Sequence, residues 1–148
     1  ETALAQNLAA LWFCCKAASP RRMRLNDQEL NTLFGAPDGG NVIHVAQHSD
    51  DEQTTVFRLF IPAEGTSVRT EYVRSLQKSA ADAVGNQRLR PWIDRGTYRF
   101  AILVHSEVRK EELERFIQRR EFPKLRLLID TTPTPTTLPL HLPEKDQD

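Results

Sequence analysis

Three short runs hold the residues best suited to grip an anion: Gly65-Thr66-Ser67, His105-Ser106 and Asp130-Thr131. Each run follows a segment that reads as a strand, and the first two lead into segments that read as helices. A helix N-terminus offers unpaired backbone N–H groups and a partial positive charge, so hydroxyls and a glycine placed there suit a phosphate. In open α/β sheets ligands sit beyond the carboxyl ends of parallel strands, where these three runs should meet. A fourth run, Arg88-Leu89-Arg90-Pro91-Trp92, sets an aromatic ring among guanidiniums. That combination stacks a base while holding phosphate. The expected binding set is therefore Gly65, Thr66, Ser67, Arg88, Arg90, Trp92, His105, Ser106, Asp130 and Thr131. Each has a competing structural role: Ser67 and Ser106 are good N-caps, and Trp92 can fold onto the core.

Other chemistries lack their residues. No Gly-Lys-Ser/Thr follows the Gly65 loop, so it is not a P-loop, and Gly-x-Gly-x-x-Gly is missing as well. No Gly-x-Ser-x-Gly nucleophile elbow is present. His44 and His48 share a strand parity and precede Asp50-Asp51-Glu52, but a metal site there needs His105 or another ligand to converge on them. The acids read instead as a solvated hairpin tip. Cys14 and Cys15 are adjacent, which disulfide geometry disfavours, and no further cysteine completes a zinc set. They are expected to be buried thiols of an intracellular protein. No catalytic constellation, metal or cofactor is expected.

The 148 residues carry a formal net charge of +0, which argues against a dedicated nucleic-acid binder. The charge is unevenly spread. Residues 27–71 hold eight acids against two bases, and residues 86–99 hold four arginines against one acid. Such asymmetry suits an anionic ligand or a partner surface. No apolar window approaches a membrane span and no secretory signal is visible, so a cytoplasmic location is expected. The chain opens Glu1-Thr2-Ala3 without methionine, which reads as a domain cut from a longer protein.

The elements that must position these residues follow from periodicity. Residues 3–18 predict a helix with Leu4, Leu8, Leu11, Trp12 and Cys15 as its apolar stripe, ended by Ser19-Pro20. Leu8, Leu11 and Cys15 are expected inside or in a subunit contact. Arg21, Arg22 and Arg24 read as a solvated connector. Asn26 and Glu29 form a capping box for a short helix that Gly35 ends, and Pro37-Asp38-Gly39-Gly40 is a turn. Strands are predicted over 41–47, 54–61, 97–105 and 125–129, with helices from about Val68 to Gly85 and from Ser106 to Arg120. Residues 86–96 read as a basic loop.

The predicted order is α α β β α β α β: an α/β domain with a mixed, mostly parallel sheet, Rossmann-like in its second half. The strand at 41–47 is expected on its edge. The domain spans 1–130, and the Pro/Thr-rich segment 131–148 reads as an extended or disordered tail, dispensable for folding. Two functions compete. The first is a non-catalytic ligand-sensing domain for a nucleotide, a cyclic nucleotide or another phosphorylated ligand. The second is a protein-interaction or dimerisation module using the first helix, which is apolar enough to pack on another chain as well as on its own sheet.

Overall fold

Alternation along the strands decides the architecture. In Tyr98–Val104, the side chains of Tyr98, Phe100, Ile102 and Val104 point to one face and those of Ala101 and Leu103 to the other, and all six are buried. A strand apolar on both faces needs cover on both, which makes it central. The computed structural model describes residues 2–16, 21–35, 42–63, 70–120, 122 and 124–134. The elements run α1 (Thr2–Lys16), β1 (Arg21–Arg24), α2 (Asp27–Phe34), β2 (Ile43–His48), β3 (Thr54–Phe60), α3 (Thr70–Gly85), α4 (Arg90–Asp94), β4 (Tyr98–Val104), α5 (Glu107–Gln118) and β5 (Arg126–Thr131).

The protein has an α/β fold. Its sheet has five strands in the order β1-β2-β3-β4-β5. β1–β2 and β2–β3 are antiparallel, while β3–β4 and β4–β5 are parallel. The parallel β3-α3-β4-α5-β5 half is as expected. One face packs on α2, α3, α4 and α5, through Phe34, Val73, Leu76, Ile93 and Leu113 against Val56, Tyr98, Phe100 and Ile102. Among the described residues the opposite face packs on α1, through Ala9, Ala10 and Phe13 against Val45, Phe57, Leu59 and Leu103.

Four local expectations change. The strand at 43–48 is not the edge, because Arg21–Arg24 is itself a strand paired to it. Its polarity hides it: Arg22 lays its guanidinium 4.0 Å from the Phe13 ring centroid, so the charged side chain covers apolar surface as a hydrophobe would. The basic segment 86–96 contains the short helix α4, with proline in its first turn where a missing N–H costs nothing. Leu11 is 61% exposed and Cys15 is exposed, so of the two expected placements, inside the domain or in a subunit contact, these two do not take the first. The face that α1 buries is alanine-rich, because small side chains let the helix approach the sheet while Phe13 fills the groove edge-on to Phe57 at 5.4 Å.

The packed chain also runs past residue 130. Thr132 N–H donates to Val104 C=O at 2.8 Å, and Thr132 and Thr134 are 3% and 2% exposed. Truncation after Thr131 should therefore destabilise the domain by about 1–3 kcal/mol relative to truncation after Thr134, as measured by urea unfolding. Equal midpoints would put the functional end of the domain at β5.

Candidate functional site

The described residues of the expected anion site do not come together as one set. Gly65, Thr66 and Ser67 lie outside the described residues. The other seven members fall at two opposite ends of β4. Arg88, Arg90 and Trp92 precede β4 and sit at its amino end, where Trp92 C=O accepts hydrogen bonds from Thr97 N–H at 2.8 Å and Thr97 Oγ1 at 3.0 Å. His105 and Ser106 follow β4 at its carboxyl end. From Thr97 to His105 the strand rises about 3.3 Å per residue, roughly 26 Å in all. No arginine side chain spans that distance.

Trp92 is half-buried and packs edge-on against Phe34 at 5.3 Å, with Arg95 over its ring at 5.3 Å. Its ring is thus a core contact. Arg88 lies against Gly35, close enough that a Cβ on that glycine would collide with its guanidinium. Gly35 closes the carboxyl end of α2, so the Arg88 charge complements the helix dipole there. Arg90 is exposed on α4.

At the other end, His105, Ser106, Asp130 and Thr131 do share one sheet edge, since Val104 is in register with Thr131. Their chemistry does not favour an anion. Ser106 Oγ accepts from Arg109 N–H at 3.2 Å and caps α5. Asp130 is a carboxylate, paired with Lys16 Nζ at 2.8 Å. His105 Nε2 meets Pro62 C=O at 3.1 Å. The topology adds a reason. A doubly wound sheet opens its crevice where the strand order reverses and successive helices leave to opposite faces. Here β3, β4 and β5 are consecutive, and α3 and α5 pack on the same face. No such divergence arises among the described residues. Two buried polar atoms at this edge, His105 Nδ1 and Thr132 Oγ1, nonetheless have no partner among the described residues.

The acidic hairpin tip is occupied by its own turn. Ser49 N–H donates to Gln53 C=O at 3.1 Å, and the Ser49 hydroxyl donates to the Asp51 carboxylate. That hydrogen bond and the neighbouring backbone N–H groups hold the Asp51 carboxyl below its ordinary value. His44 is buried, with Nε2 3.2 Å from Tyr98 Oη. His48 is tied to Thr54 Oγ1 at 3.0 Å. No three His, Cys, Asp or Glu side chains converge on a metal-sized site among the described residues.

The feature missed by sequence reasoning is the margin where α1 runs beside β1. Two adjoining clefts lie there. One, of about 500 Å³, is lined by Ala3, Gln6, Asn7, Arg24, Leu25, Asn26, Asp27, Val42 and Ile43. The other, of about 360 Å³, is lined by Asn7, Ala10, Leu11, Cys14, Arg22, Met23 and Arg24. Asn7 and Arg24 line both clefts and are hydrogen-bonded to each other from α1 to β1 at 2.9 Å. Leu4 and Leu11 are seven residues apart, on one face of α1 by the helical repeat, and each is 61% exposed. Met23 on β1 is 52% exposed. Large apolar side chains thus face solvent while the alanines of the same helix are buried.

The two cysteines divide here. Burial, and then the neighbouring Cys15, push the Cys14 thiol up from its ordinary value. Less thiolate and less access both slow alkylation. Under native conditions near neutral pH, Cys15 should label at least about tenfold faster than Cys14. Equal rates, followed by peptide mapping, would mean that α1 is not seated on the sheet as described.

Comparison with protein-family models, with curated proteins and with solved structures finds no match. No helix among the described residues is long and apolar enough to cross a membrane.

Proposed function

We propose that this domain is a protein-interaction module whose contact surface is the groove between α1 and β1. One observation carries the reading: Leu4, Leu11 and Met23, three of the five large apolar side chains most exposed among the described residues, are concentrated on these two elements. Exposed apolar side chains scattered singly need no explanation, but a cluster flanking a cleft marks a contact surface. Leu11→Asp should abolish capture of the partner from a cell extract, while Val108→Asp should leave it intact. Val108 is equally exposed, at 63%, but sits on α5, which packs against the other sheet face. Equal capture by both variants would move the contact surface elsewhere.

The ligand-sensing reading keeps one observation, the two unpartnered polar atoms His105 Nδ1 and Thr132 Oγ1. A thermal-shift screen with nucleotides and cyclic nucleotides separates the two functions. A ligand at 100 times its Kd raises stability by about 2.7 kcal/mol, whereas an interaction module does not respond.

A further inference from the structure

We infer that the groove between α1 and the outer edge of β1 takes an acidic, extended segment of a partner protein as an added strand of the sheet. This rests on the interaction-module reading and names its partner's chemistry.

The backbone supplies the template. Leu25 N–H donates to His44 C=O at 2.9 Å, which fixes the hydrogen-bonding phase of the β1–β2 ladder. In an antiparallel pair, alternate residues turn their polar groups toward the neighbour. Leu25, Met23 and Arg21 therefore face β2, and the backbone groups of Arg22 and Arg24 face outward. Among the described residues no strand pairs with them.

Natural sheets protect open edges by thrusting charge across them. This edge is short, arginine-rich and flanked by α1, but two of its three arginines turn toward that helix. The Arg22 side chain turns back toward α1, donating to Phe13 C=O at 3.0 Å and Gln47 Oε1 at 2.9 Å. Arg24 donates to Asn7 Oδ1 at 2.9 Å. Met23 and Leu11 are left exposed beside the edge. A strand edge on one side and a helix on the other is the arrangement in which peptides bind by strand addition.

Charge selects the occupant. Three of the four residues of β1 are arginines; Arg22 and Arg24 donate to neutral oxygens, and the Asp130 carboxylate acts on Arg22 through space. A second copy pairing through β1 would set arginine against arginine, which is destabilising across a ladder. A partner strand with Asp or Glu at alternate positions meets Arg24 on the α1 side, next to Arg22 held over the Phe13 ring, and presents apolar residues beside Met23.

The test is selection of random dodecapeptides displayed on phage against the full chain. Enriched sequences should be free of proline and carry Asp or Glu at alternate positions. A synthetic representative should bind, by fluorescence anisotropy, at least tenfold more tightly than its Lys-for-Glu counterpart. It should slow amide exchange at Arg22 and Arg24 at least tenfold. Enrichment that is equal on the Leu11→Asp chain, sequences without acidic alternation, or unchanged exchange at those two amides would overturn the inference. So would a dimer in sedimentation whose Arg22 and Arg24 amides are already protected without peptide. If Leu11→Asp loses partner capture yet no acidic strand is selected, the module reading stands and strand addition falls. If acidic strands are selected but capture ignores Leu11, the module reading falls instead.

Discussion

Replacing Phe13 by alanine is expected to cost about 3–5 kcal/mol and to remove the α1–β1 groove with it. Phe13 is 1% exposed and is the one large side chain that α1 buries fully; its other fully covered contacts are alanines. Deleting the ring forfeits the edge-on contact with Phe57 at 5.4 Å and opens a cavity between helix and sheet. The same ring carries the Arg22 guanidinium, and the Phe13 carbonyl accepts its hydrogen bond. Arg22 thus loses its stacking surface when the helix loosens, and β1 loses the side chain that anchors it to α1. Urea unfolding should show a lower midpoint with an unchanged slope. Native-state exchange at β1 amides should accelerate well before global unfolding, because α1 and β1 open as a local unit. Leu11→Asp is the control: its side chain is exposed, so stability should stay within about 0.5 kcal/mol while binding is lost. A Phe13→Ala chain with normal stability and normal exchange at β1 would mean that α1 is not docked by this residue.

What the sequence reveals depends on how strongly one face of an element is committed. β4 is legible because both its faces are buried and its alternation is unbroken from Tyr98 to Val104. The capping box is legible because its chemistry is local: Asn26 Oδ1 accepts from Glu29 N–H at 2.8 Å, and Asn26 N–H donates to Glu29 Oε1 at 3.1 Å. β1 is not legible, because Arg-Arg-Met-Arg carries no apolar alternation and Arg22 packs through its flat guanidinium. The rotation of α1 is hidden for another reason. Alanine and leucine stripes both fit a helical period, and the sheet selects the stripe that permits close approach rather than the more hydrophobic one. Topology separates one part of the expected site from the rest. Arg88 to Trp92 precede β4, and a segment entering a parallel strand lies at its amino end. The order of elements alone therefore separates them from His105 and Asp130.

The larger loss of stability is expected at Tyr98. It lies on the sheet face opposite the groove, so it separates stability from binding. Its ring is 1% exposed and packs edge-on against Phe34 at 5.7 Å and against Phe100 at 6.3 Å. Its hydroxyl is 3.2 Å from Nε2 of His44, itself 4% exposed. Tyr98→Ala should cost about 3–5 kcal/mol for the cavity. Removing a buried hydrogen-bonding partner of His44 adds about 1–3 kcal/mol. Together these approach the whole stability of a typical domain, about 5–15 kcal/mol, so the chain should be largely unfolded at modest urea. Tyr98→Phe isolates the second contribution: it keeps the ring and should cost about 1–3 kcal/mol. Binding at the α1–β1 groove should be unchanged in Tyr98→Phe, since Phe13 and the Arg22 guanidinium lie on the α1 side of the sheet. A double-mutant cycle of Tyr98→Phe with His44→Phe assigns the contribution to the pair. A coupling of at least about 0.5 kcal/mol places it in the Tyr98–His44 hydrogen bond. A smaller coupling means that the Tyr98 hydroxyl acts by packing alone, and that His44 is held by its other neighbours.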